Sequence, residues 1–166
     1  QKQTKTTMLF VTHDQSEALA ISDRVCLLLG GTLRQTGSPE DLFYLPAAPE
    51  VARFFGCDNI FCTPDDGKEN ITAFSSAQSD RCNIGEKIFT IRPEDIEILA
   101  ADRIRSEPFQ QSLEGRVTAV TFEGRMTKLT VDIEKTPIAV LCKRSSFRIG
   151  QTVGLRIPEK HIHFFP

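Results

Sequence analysis

The hydrophobic pattern divides the chain into a first third with helical spacing and a remainder with period two. Met8-Leu9-Phe10-Val11 is an unbroken apolar run, the pattern of a strand buried on both faces of a parallel sheet. Such a strand needs neighbours, and no βα unit precedes it in this sequence. With a first residue that is not Met, the run reads as part of a longer protein. A helix is expected over Gln15–Asp23, with Asp14 as N-cap and Glu17 completing a capping box. Val25–Leu29 and Thr32–Gln35 are extended runs about Gly30-Gly31, a hairpin signal. Ser38-Pro39-Glu40-Asp41 opens a second helix, with Ser38 capping and Pro39 in the first position, where a missing N–H costs nothing. Pro49–Phe55 reads as a third, ended by Gly56.

Beyond Cys57 the apolar residues alternate, most regularly at Leu129/Val131/Ile133, Ile138/Val140/Cys142 and Val153/Leu155/Ile157. Strands are expected over Asn59–Thr63, Asn70–Phe74, Lys87–Arg92, Gly115–Phe122, Thr127–Ile133, Ile138–Cys142, Thr152–Ile157 and His161–Phe165. Pro64-Asp65-Asp66-Gly67 is a turn, and the polar stretch Ala100–Gln111 reads as a loop. Many short strands without intervening helices predict a small barrel or sandwich. The fold class is therefore mixed α and β: a short α/β segment over residues 1–58, followed by an all-β, OB-like barrel over residues 59–166.

Composition changes this picture little but narrows the chemistry. The chain has 166 residues, 40% of them hydrophobic and 25% charged, which suits one or two folded domains. Its net charge of −2 lacks the basic excess that phosphate-backbone binding needs, so no nucleic-acid partner is expected. The longest apolar run, Val25–Leu29, falls far short of the ~20 residues of a spanning helix. Five cysteines without a CxxC pair fit a reducing compartment, with most of the thiols read as small buried apolar groups.

His13 is the first candidate for chemistry, because it stands where a buried strand would leave its sheet and a helix begins. An imidazole there can donate to a phosphoryl oxygen or hold an attacking water. Around it, Phe10-Val11-Thr12-His13-Asp14-Gln15-Ser16-Glu17-Ala18, Ser22-Asp23-Arg24-Val25, Gly31–Glu40 and Val51-Ala52-Arg53-Phe54-Phe55-Gly56 follow one another in order. This succession resembles the switch region and C-terminal end of an ABC-transporter ATPase subunit, of the group that energises bacterial importers for sulfate, molybdate, tungstate, iron, polyamines and sugars. Thr90-Ile91-Arg92-Pro93-Glu94-Asp95-Ile96, Leu113–Val117 and Ile149–Val153 are similar to that group's transport-associated OB-type (TOBE) regulatory domain.

The resemblance implies that His13 is the switch histidine, contacting the γ-phosphate of ATP in the full-length parent, where ATP and Mg2+ are the cofactors and hydrolysis drives solute uptake. It also implies a homodimer with a second copy of the subunit, attachment to transmembrane permease subunits, and a cytoplasmic place on the inner face of the plasma membrane. The sequence has no GxxxxGK[ST] loop, LSGGQ-type signature or apolar strand ending in Asp-Glu. Without a phosphate cradle, these residues alone are expected neither to bind ATP tightly nor to hydrolyse it, and to need no cofactor.

The β region is rich in Arg, and Arg92, Arg116 and Lys143 are the candidates for a regulatory oxyanion site. His161 and His163 have the spacing of two strand-borne metal ligands but lack a third, Cys57 and Cys62 read as buried thiols, and Asp65, Asp66 and Glu69 lack the ordered spacing of a calcium loop, so no metal is expected. The alternative to a transporter piece is a free-standing OB-type module for an oxyanion, oligosaccharide or nucleic acid. Its aromatic platform is missing, since there is no Trp and the single Tyr44 falls in a helix.

Overall fold

The computed structural model describes residues 6–65, 74–76, 82–100, 112–143 and 146–166. Asp14 caps helix α1 (Gln15–Ile21), taking the Glu17 N–H at 3.0 Å. The expected box does not close: the Glu17 carboxylate accepts the Thr12 hydroxyl at 2.9 Å, while Asp14 N–H goes to Thr12 Oγ1. Strands β1 (Val25–Leu29) and β2 (Thr32–Gly37) form the hairpin, turning on Gly30 and Gly31 at φ 57° and 76°. Ser38 and Asp41 make the reciprocal box that opens α2 (Pro39–Tyr44), and the Ser38 hydrogen bonds hold the exposed Asp41 carboxyl below its usual pKa. Helix α3 (Pro49–Phe54) ends at Phe55 and Gly56, the latter at φ 78°.

The expected strand at Met8–Val11 is absent. These residues have no regular structure, and Leu9 and Val11 are 95% and 88% exposed. A parallel strand exists only through hydrogen bonds to flanking strands, and none of the described residues supplies them.

The β region has two antiparallel sheets. One runs β11 (His163–Phe164), β5 (Glu86–Thr90), β3 (Ile60–Pro64), β4 (Ser75–Ser76). The other runs β6 (Glu97–Ala100), β10 (Thr152–Arg156), β7 (Ser112–Glu123), β8 (Met126–Ile133), β9 (Thr136–Cys142), and its outer strands β6 and β9 approach each other as in a curled barrel. Strand β8 alternates strictly, with Leu129 and Val131 fully buried. They join Phe89, Ile91, Val117, Ile138, Val140, Val153 and Leu155 in one core shared by both sheets. A bulge at Thr118 bends β7, and Gly115 lets the strand close on β8, since a Cβ there would lie 2.7 Å from Asp132 O.

Strands β4 and β6 were not expected from the period. Both are short, and β6 follows the 3-10 turn Pro93–Asp95, where a proline and two acids mask the pattern. The last expected strand shrinks to His163–Phe164, because Glu159–His161 forms a 3-10 turn. Of the strand expected over Asn70–Phe74 only Phe74 is described, and it lies just before β4. Beyond Ala100, the expected loop lies outside the described residues.

Two cysteines depart from the all-thiol expectation. Cys62 in β3 and Cys82, which lies ahead of β5, are joined as a disulfide with their Cα atoms 5.6 Å apart. Cys26 is a free thiol but exposed, since its strand alternates and places it on the open face.

Candidate functional site

Helices and barrel meet at Arg92, which follows β5 and precedes the Pro93–Asp95 turn. Its side chain lies 8% exposed between the ends of two helices. Nε and Nη2 donate to Phe43 O, in the last turn of α2, and Nη1 donates to Phe55 O, at the C-cap of α3, at 3.1 Å. The guanidinium carbon stands 3.3 Å from the centre of the Phe43 ring. Carbonyls at helix C-termini lack intrahelical partners and carry partial negative charge. A planar, permanently charged fork satisfies two of them at once while its face is covered by an aromatic ring. Burial pulls the Arg92 pKa below its ordinary value, but an arginine stays charged throughout the working range.

Three further contacts tie the same seam. The buried Asn59 side chain is hydrogen-bonded to the backbone of Ala139 in β9. His163 Nε2 lies 2.8 Å from Pro46 O, in the α2–α3 connection. Cys57, buried after α3, sits 3.1 Å from Thr90 Oγ1 and 3.3 Å from Ile91 O, and burial pushes its thiol pKa up. A cleft of about 190 Å³ opens along the seam, lined by Tyr44, Pro46, Asp95, Lys160, His161 and Arg92. The chemistry gathered here is that of a fixed joint, with charge spent on backbone carbonyls.

His13 lies elsewhere, exposed in irregular chain before α1. The sequence has no GxxxxGK[ST] loop that would cradle a phosphate beside it. Arg92, Arg116 and Lys143 do not converge. Arg116 is opposite Asp132 on β8 while Cys142, beside Lys143, is opposite Thr127, which separates the two ends by about 17 Å at the rise of a strand. His161 and His163 also part: His161 Nδ1 is 3.6 Å from Asp95 Oδ1, while His163 turns to Pro46. Asp65 pairs with Lys87 at 3.8 Å, and Asp66 and Glu69 lie outside the described residues.

Residues 89–165 match the TOBE domain family, a span that starts in β5, includes Arg92 and ends at β11. This part of the chain is a TOBE domain. Over nearly its whole length the chain is also similar to the C-terminal part of ATP-binding subunits of importers. It is 32% identical over 98% of its residues to the spermidine/putrescine import ATP-binding protein PotA of Borreliella afzelii, and equally to that of Clostridioides difficile. To the protein of the same name in Haemophilus influenzae it is 31% identical over 93% of its residues. The chain spans 46% of the length of each of these relatives. Among solved structures, the molybdate-binding protein ModG aligns with 49% of this chain and 62% of its own at a TM-score of 0.43 and 11% identity, too distant to bear on function. The seam residue Arg92 thus belongs to the TOBE domain, while both helix ends that it holds lie outside the matched span.

No helix among the described residues is long and apolar enough to cross a membrane.

Proposed function

We propose that this chain is the regulatory and subunit-contact portion of the ATP-hydrolysing subunit of a bacterial importer. In this reading residues 1–58 are the end of the ATPase domain and residues 59–166 the regulatory domain. The observation that supports it most is the Arg92 joint. A TOBE domain whose buried Arg92 grips two helix ends outside it, beside the His163 and Cys57 contacts, is built to move with those helices. The two larger apolar clusters, Leu27/Leu42/Val51/Phe55 and the barrel core, lie on either side, and a small third one, Ala52/Cys57/Ile60 with Ile88 and Phe165, joins them across the boundary.

The whole subunit would bind ATP and Mg2+, with His13 reaching the γ-phosphate. It would dimerise with a second copy and sit on the cytoplasmic face of the membrane through permease subunits. Polyamines, for which the matched relatives are named, are the first solutes to test. The 166 residues by themselves lack the phosphate loop and are inactive in this reading.

Calorimetry on the purified chain with Mg-ATP tests the inactivity, with no saturable heat expected; a stoichiometric micromolar complex would overturn it. Light scattering tests the contact role, and a strictly monomeric chain at high concentration would count against it. The oxyanion reading has weaker geometric support, because its three candidate cations stand apart. A saturable heat with sulfate or molybdate would revive it.

A further inference from the structure

We propose that Cys62 and Cys82 form a reversible dithiol–disulfide site whose oxidised state fastens β4 and Phe74 to the core of the β region. The two residues are 20 apart in sequence and bonded through sulfur, with Cα atoms 5.6 Å apart. Cys62 is 4% exposed in β3, between β5 and β4, whereas Cys82 is only partly buried ahead of β5. Strand β4 is two residues long and meets β3 at Phe61–Ser76 and Cys62–Ser75. So short a ladder does not hold by itself in water. What holds it is the ring of Phe74, 5.1 Å from Phe61 and 6.3 Å from Phe89, and the covalent bond that closes the chain around it.

Two features make the bond reversible. The partly exposed Cys82 sulfur can be reached by a small thiol. The chain also keeps an exposed free thiol, Cys26, which suits a thiol-buffered compartment where an accessible disulfide exchanges with the surrounding pool. Reduction proceeds by attack of one glutathione thiolate on Cys82 Sγ, which breaks the S–S bond and releases Cys62 as a thiolate that takes a proton. A second glutathione thiolate attacks the glutathione sulfur of the mixed disulfide, freeing Cys82 and forming glutathione disulfide. Two electrons pass from the two glutathiones to the protein. The Glu86 carboxylate, within 4.8 Å of both sulfurs, disfavours the thiolates and so favours the oxidised state.

The test equilibrates the whole 166-residue chain in glutathione buffers of graded ratio, then counts thiols by polyethylene-glycol maleimide after acid quenching and denaturation. The expected result is a single transition from three modifiable thiols to five as the ratio becomes reducing. Reduction should lower Tm by about 5–10 °C, as loss of a loop of this size implies, with faster amide exchange at Phe74–Ser76. Cys82→Ser should start at the reduced Tm and ignore the buffer. Five thiols at every ratio, three at every ratio, or a Tm indifferent to reduction would each overturn the proposal. So would tight zinc uptake by the reduced chain that protects two thiols from maleimide, since the pair would then be a metal site with Glu86. The wild-type titration decides the matter even if Cys82→Ser does not fold.

Discussion

Asn59 completes the edge of strand β9 by pairing with Ala139: its Nδ2 donates to Ala139 O at 2.7 Å and its Oδ1 accepts Ala139 N–H at 2.8 Å. A carboxamide can present one N–H and its C=O side by side as a peptide group does, so a single side chain imitates a neighbouring strand. Two places along the chain, Pro137 has no N–H to offer on the same side. Asn59 sits just beyond the end of α3, so this edge is closed by the segment that joins helices to barrel.

Replacing Asn59 by Ala leaves both Ala139 groups without that partner. We expect a loss of about 1–2 kcal/mol in urea unfolding, the cost of part-buried polar groups left without a protein partner. Asn59→Asp should be worse at neutral pH, since a carboxylate would face Ala139 O, and should recover partly on acidification. A change below about 0.5 kcal/mol in both would mean that water replaces the side chain.

Arg92→Ala removes the guanidinium's hydrogen bonds to Phe43 O and Phe55 O and its cover over the Phe43 ring. The expected cost is about 2–4 kcal/mol, and helices and barrel should then melt in separable steps by calorimetry. Arg92→Lys should restore only part, because a point charge cannot fork to two carbonyls. One unshifted transition in both variants would contradict the joint.

At Gly115 an added methyl group meets Asp132 O, Ile133 Cγ1 and Val131 Cγ1, all at 2.7 Å. One of these is backbone, so the strands must part. Gly115→Ala is expected to lower stability by about 1–3 kcal/mol, read as a lower urea midpoint with unchanged slope. Gly124→Ala, at a turn with open space but φ 71°, should cost less, about 1 kcal/mol.

Burial raises the Cys57 pKa, so the folded state prefers the neutral thiol. Its contribution is complete below the unfolded thiol's pKa, about 8.5, and is lost as pH rises through the higher folded value. As pH rises above about 8.5 the wild type should lose more stability than Cys57→Ala. In the native state at pH 8, maleimide should modify the exposed Cys26 well before Cys57. Parallel stability curves for wild type and variant would refute the assignment.

The elements legible from sequence were those whose signals are local. Gly30-Gly31 dictates a hairpin through positive φ, Ser38-Pro39 with Asp41 dictates a helix start, and the alternation through Leu129, Val131 and Ile133 dictates one buried face. The succession around His13 and the Arg92-Pro93-Glu94 turn was legible as family resemblance. Met8–Val11 carries the pattern of a buried strand but forms none here, because an apolar run becomes a strand only where other strands supply its hydrogen bonds.

What only the tertiary structure decided are relations between residues far apart in the chain. Arg92 looked like any cation on a β surface, and Phe43 and Phe55 like core aromatics; folding brings their carbonyls to its guanidinium across 49 and 37 positions. Cys62 and Cys82 looked like two more isolated thiols, yet in the fold they stand side by side with Cα atoms 5.6 Å apart. Sequence carries period, turn chemistry and capping because these depend on neighbours along the chain. Pairing, capture of orphan carbonyls and sulfur proximity depend on which surfaces meet, and no local pattern records that.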